Sequence, residues 1–175
     1  TFPSNYYTFK EVQGNATGKF TDKAQTVIYV YTANKPVAAG TAIYRVYNPN
    51  SGEHLYTTSS YEAKALIAKG WHDEVTEWQA PTKGNAVYRL YNPNTGEHFY
   101  TTSSYEYNSV ASKGWNKEGV AFYSDPAKGK NIYRAFNPHA KGAGSHFFTT
   151  SSYEYQHAVN SGWKGEGTAF YGLNK

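Results

Sequence analysis

Three histidines, His54, His98 and His146, return at intervals of 44 and 48 residues, each opening a short aromatic stretch after a turn. Imidazole at such a place can ligate a metal, carry a proton near neutral pH or bond the turn backbone. One ring per repeat, beside Glu53 or Glu97 in the first two, could converge as a three-histidine metal site. Ser145 stands where the third acid should be. The preferred reading is structural, with a glycan contact as the functional alternative and no metal or cofactor expected. Arg45, Arg89 and Arg134 lie between aromatics on strands, where stacking on a ring or pairing with a Glu of the same hairpin accounts for them.

A sugar ring presents an apolar C–H face and a rim of hydroxyls, so its site wants an aromatic platform flanked by Asn, His or Arg. Each hairpin supplies that set: Tyr47, Asn48, Asn50 and His54; Tyr91, Asn92, Asn94 and His98; Phe136, Asn137 and His146. Aromatics that fill small cores and Asn that make turns would explain the same residues without a ligand. Trp71, Trp115 and Trp163 follow a helix-ending Gly and read as core, whereas Trp78 has no partner in the other copies and is expected to be exposed and to contact the ligand. Catalysis fits less well. Acid/base work needs carboxylates in unlike environments, and Glu62, Glu106 and Glu154 occupy equivalent positions. There is no Gly-x-Ser-x-Gly elbow and no Gly-rich phosphate loop, so the chain is not expected to be an enzyme.

The elements that carry these residues repeat three times, in copies of about 41–84, 85–129 and 130–175. In copy two, Tyr88-Arg89-Leu90-Tyr91 reads as a strand and Asn92 to Gly96 as a turn, with His98 to Thr102 as the return strand. Ser103 can then cap a helix and Glu106 can reach back to it, as can Ser59 with Glu62 and Ser151 with Glu154. The helix ends at Gly114, like Gly70 and Gly162, each followed by Trp. A third strand, Gly119 to Tyr123 or Gly167 to Tyr171, closes the unit. Copy one departs there: Val75-Thr76-Glu77-Trp78 replaces the Gly-x-Ala-Phe pattern, so its third strand is expected to pack differently or to meet the N-terminal segment.

A unit of about 45 residues cannot bury its own apolar face, so the copies must pack together. The expected fold is mainly β with three short helices. Its three hairpin-helix-strand repeats close about a pseudo-threefold axis in a trefoil-like way, with an open row of three small sheets as the alternative. Residues 1–34 read as a small β segment with strands at Tyr6–Val12 and Ala24–Tyr31, and 35–40 as a linker.

Composition sets the class. Of 175 residues, 18 are Tyr, 9 Phe and 4 Trp, too many aromatics for a disordered chain, and 17% are charged, below the roughly 25% of an average globular protein. Cysteine is absent, which removes disulfides, thiolate metal sites and thiol nucleophiles and fits a Gram-positive surface. No run approaches the ~20 apolar residues that cross a bilayer. The net charge of +4 forms no basic stripe, so nucleic acid is not an expected partner. With Thr1 first, the chain reads as a mature product or a fragment.

Two resemblances follow. Asn15 to Thr32 resembles the closing strands of mucin-binding-type repeats of bacterial surface proteins. The three copies resemble a repeat family of secreted bacterial proteins in which Tyr-Arg-x-Tyr-Asn-Pro, Gly-x-His-Phe-Tyr-Thr and Gly-Trp…Glu-Gly-x-Ala-Phe recur, commonly at the ends of cell-wall hydrolases and surface proteins. That resemblance implies an accessory, wall-directed or glycan-directed module. The expectation is a monomeric, non-catalytic carbohydrate-binding or cell-wall-targeting module, extracellular and wall-associated, with cell-wall or host polysaccharide as partner. The alternative is an adhesion module that meets host or partner proteins through a Tyr-rich surface, or a spacer.

Overall fold

The computed structural model describes residues 7–14, 17, 24–33 and 40–174. The chain divides into two compact units, 1–37 and 38–175. In the first, β1 (Tyr7–Gln13) pairs antiparallel with β2 (Ile28–Ala33), with a bulge between Phe9 and Glu11. The Phe9 and Tyr31 rings meet edge-on at 5.8 Å. Tyr6, Asn15, Ala16, Gly18 and linker residues 35–39 lie outside the described residues.

The second unit holds three copies of one arrangement. Copy one comprises β3 (Gly40–Tyr47), β4 (His54–Thr57), α1 (Ser60–Ile67) and β5 (His72–Pro81). Copy two comprises β6 (Asn85–Tyr91), β7 (His98–Thr101), α2 (Ser104–Ala111) and β8 (Asn116–Ser124). Copy three comprises β9 (Lys130–Phe136), β10 (His146–Thr149), α3 (Ser152–Asn160) and β11 (Lys164–Gly172). Each copy makes its own antiparallel three-stranded sheet with the first strand central, in the orders β4-β3-β5, β7-β6-β8 and β10-β9-β11. Among the described residues no ladder joins these sheets, so the fold has no closed barrel.

Local chemistry accounts for the elements. Ser59, Ser103 and Ser151 accept the amides of Glu62, Glu106 and Glu154 through their hydroxyls at 3.1 Å, satisfying one of the free donors at each helix start. Gly70, Gly114 and Gly162 take φ of +95°, +94° and +97°, the left-handed end that glycine permits. The third strand bulges in each copy at a second left-handed position, held by Gly119 and Gly167 but by Val75 in copy one, at φ +64°. A β-branched residue there is strained. Val75 is exposed, so its side chain contributes little in return. Val75→Gly is expected to raise stability by about 1 kcal/mol, read from the urea midpoint.

Copy one's third strand nevertheless pairs as the others do, which corrects the expectation of a different packing. Trp78 faces Ile43 as Phe122 faces Val87 and Phe170 faces Ile132. It is therefore the counterpart of those phenylalanines, and at 4% exposure it is core rather than surface. Only the sequence pattern around it differs. Ring centroids of Trp78, Phe122 and Phe170 lie 5.6–5.9 Å apart pairwise, and those of Tyr56, Tyr100 and Phe148 lie 5.5–5.7 Å apart. With Ile43, Val87 and Ile132 these rings form one core to which every copy contributes, copy one adding Ala80. A smaller cluster lies under α1, where half-buried Trp71 packs with Val46, Leu55 and Ala63.

Two buried hydroxyls join the edge strands of different copies. Tyr56 donates to the Phe148 carbonyl at 2.6 Å and accepts the Phe148 amide at 2.8 Å; Tyr100 does the same to Tyr56, at 2.8 and 3.0 Å. A phenol thus satisfies the edge backbone where a neighbouring strand would in a closed barrel. Tyr56→Phe strands a buried amide and a buried carbonyl and is expected to cost about 2 kcal/mol, measured by urea unfolding beside Tyr100→Phe.

Candidate binding surface

The hairpin residues proposed for a sugar are largely occupied. Asn48, Asn92 and Asn137 each accept, through Oδ1, a backbone amide two residues on at 3.0 Å, as turn-making Asn do. Asn50 and Asn94 are exposed at the turn tips. Tyr47, Tyr91 and Phe136 are half-buried and lie 4.8, 5.0 and 5.0 Å from His54, His98 and His146. His54 also meets Phe147 of copy three, and His146 meets Phe99 of copy two. Each histidine therefore lies at a seam between copies.

The acids before these histidines reach across the same seams. Buried Glu53 accepts the His98 amide at 2.8 Å and lies 2.7 Å from its Nδ1. Buried Glu97 accepts the amides of Ser145 and His146 and the Ser145 hydroxyl. At the third seam Ser145 replaces the acid, and His54 Nδ1 is left buried without a hydrogen-bond partner. Burial, then the nearby Arg45, push the His54 pKa down to about 4. Among the described residues no group of three or more His, Asp or Glu is placed to hold a metal ion.

The arginines also work between copies, correcting the expected pairing within a hairpin. Arg89 binds Glu62 of copy one at 3.1 and 3.2 Å, Arg134 binds Glu106 of copy two, and Arg45 binds Glu154 of copy three. The same arginines hold Glu118, Glu166 and Glu74 of their own third strands at 2.6, 2.6 and 2.9 Å. The helix-start glutamates thus reach to a neighbouring copy, where a capping box would turn them back to serine. Burial opposes the charge of Glu154, yet bonds from Thr149 and Arg45 leave its pKa lowered; Glu62, with Arg89 and Thr57, behaves alike.

Two features of the surface were not singled out in the sequence. Tyr61, Tyr105 and Tyr153, one in the first turn of each helix, are 84%, 82% and 80% exposed. The Ser-Ser-Tyr-Glu repetition could have marked them, since a core role leaves no reason for Tyr beside a helix cap. Clefts also open between copies: one of about 420 Å³ is lined by Tyr88, Thr102 and Ser124 of copy two and Ala169 and Tyr171 of copy three. Its counterpart, about 230 Å³, is lined by Thr58 and Pro81 of copy one and Ala121 and Tyr123 of copy two. A further cleft of about 320 Å³ brings His54 together with Phe147, Glu154, His157 and Trp163.

No curated protein matches the chain, and no solved structure does. Residues 1–32 match the MucBP domain, a surface-associated domain of extracellular proteins, which supports the mucin-binding-type repeat tail and an extracellular setting. No helix among the described residues is long and apolar enough to cross a membrane. Residues 42–173, which take in all three copies, match the family described as Domain of unknown function (DUF5648), and the chain belongs to that family.

Proposed function

We propose that the three copies form a non-catalytic, multivalent carbohydrate-binding module of a bacterial surface protein, closed about a pseudo-threefold axis in a trefoil-like order. The closure rests on the relay of ion pairs, in which copy three holds copy one as one holds two and two holds three. The binding reading rests on Tyr61, Tyr105 and Tyr153: one large, open ring at the same place in every copy. Such rings supply a flat apolar face with a polar rim. Three tethered weak contacts on one polymer can gain on the order of 10²-fold over one.

Cell-wall polysaccharide is the first choice of ligand and the producing Gram-positive wall the location. The MucBP match favours a second source, the glycans of mucin-like glycoproteins. The deciding experiment retains the chain on purified cell walls and on mucin, each before and after removal of its glycans. Retention is expected to vanish with the glycan. The triple variant Tyr61→Ala, Tyr105→Ala, Tyr153→Ala is expected to cut it about 10²-fold with an unchanged unfolding midpoint, because the rings are open. Retention that survives deglycosylation would instead identify a protein-binding adhesion module.

A further inference from the structure

Clefts open between copies one and two and between copies two and three; at the matching place between copies three and one, the protein's own side chain fills the opening. Strand register sets the correspondence: Glu77, Ala121 and Ala169 each precede the core aromatic that faces Ile43, Val87 or Ile132. The Glu77 carboxylate accepts the Thr150 amide at 2.9 Å and the hydroxyls of Thr149 and Thr150 at 3.2 Å. Its other oxygen lies 3.5 Å from Arg45. Thr58 and Thr102 are the counterparts of Thr150, and they line the two open clefts opposite Ala121 and Ala169. Arg89 and Arg134 are the counterparts of Arg45. The donors that hold a carboxylate at one seam thus recur at two seams where the chain places only a methyl group.

We propose that the two open clefts bind the carboxylate of an acidic sugar residue, in the position that Glu77 occupies at the third seam; this rests on the carbohydrate-binding reading above. A carboxylate only accepts hydrogen bonds, and it would meet an amide and a threonine hydroxyl with a guanidinium behind. Tyr123 and Tyr171 are half-buried on the cleft walls and offer ring faces to a pyranose. The two clefts share no lining residue, which suits a single ring at each; an extended peptide would need a continuous edge or groove.

The test is titration of the full chain with glucuronic acid, glucose and the amide of N-acetylglutamate, followed by NMR. Glucuronic acid is expected to bind at least about tenfold more tightly than glucose. The double variant Ala121→Glu, Ala169→Glu, which supplies both clefts with a tethered carboxylate, is expected to abolish that binding. Thr58→Val with Thr102→Val removes only the hydroxyls of exposed residues and is expected to weaken binding about tenfold without shifting the unfolding midpoint, so the result does not depend on the glutamate variants folding. Equal binding of glucose and glucuronic acid overturns the carboxylate site and leaves the module reading standing. Tighter binding of the glutamate amide than of glucuronic acid overturns the sugar as occupant. Absence of binding by all three probes also overturns the site, whereas the module reading falls only if glycan-dependent retention on walls and mucin is absent.

Discussion

Arg45→Ala is expected to destabilise the repeat unit by about 3–5 kcal/mol, the largest effect of any single substitution at the seams. The guanidinium is buried and collects Glu154 from copy three together with Glu74 and Glu77 from its own third strand. Removing it leaves three carboxylates facing one another in a partly dry space. Arg89 and Arg134 each hold two carboxylates and are more open, so their alanine variants are expected to cost less. Arg45→Lys should recover only part of the loss, because an ammonium lacks the planar fork that Glu154 engages at 3.1 and 3.3 Å. Urea unfolding of the three alanine variants checks the order. A smaller loss at Arg45 than at Arg134 would mean that the seam between copies three and one is not held by this cluster.

The second large effect is a loss of stability in mild acid. His54 has its pKa lowered from 6.5 to about 4, by burial first and by Arg45 second. Between those values the unfolded chain binds a proton that the folded ring refuses, so stability rises with pH across the window and falls as pH drops through it. At 1.36 kcal/mol per unit, a shift of that size amounts to about 3 kcal/mol between pH 7 and pH 4. The groups around the ring explain why no carboxylate rescues it. Glu74 lies 3.4 Å from Nε2, but the same oxygen is already 2.9 Å from Arg45, and Ser145 is too short to serve Nδ1 as Glu53 serves that of His98. Glu62 and Glu154, whose pKa values are lowered, add a loss below their ordinary value of 4.5, at the acid end of the His54 window. Urea unfolding at pH 7.5, 6 and 5 is expected to show the decline, and His54→Gln to flatten it above pH 5. An equal slope in that variant would assign the decline to other groups.

Seen from these two residues, what is legible in the sequence is uneven. Arg45 and His54 belong to repeats that align by inspection, and the hairpin, the serine cap and the left-handed glycine around them follow from contacts within about a dozen residues. Their partners do not. Glu154 lies 109 residues from Arg45, and nothing local distinguishes a glutamate that turns back to its own cap from one that reaches to the next copy. Trp78 illustrates the same limit: its lack of a tryptophan counterpart pointed to the surface, yet strand register makes it the equivalent of Phe122 and Phe170 in the core.

The amino-acid order alone thus determined the three-copy organisation, the type of each element and the caps of the helices, because those depend on backbone preferences and short-range hydrogen bonds; the third strands begin three residues before the glycines that marked them. Which acid meets which arginine, which histidine loses its acid, which cleft Glu77 fills and which tyrosines face solvent depended on how the copies pack. Those pairings join residues far apart in the chain, and only the shared aromatic core brings them within bonding distance.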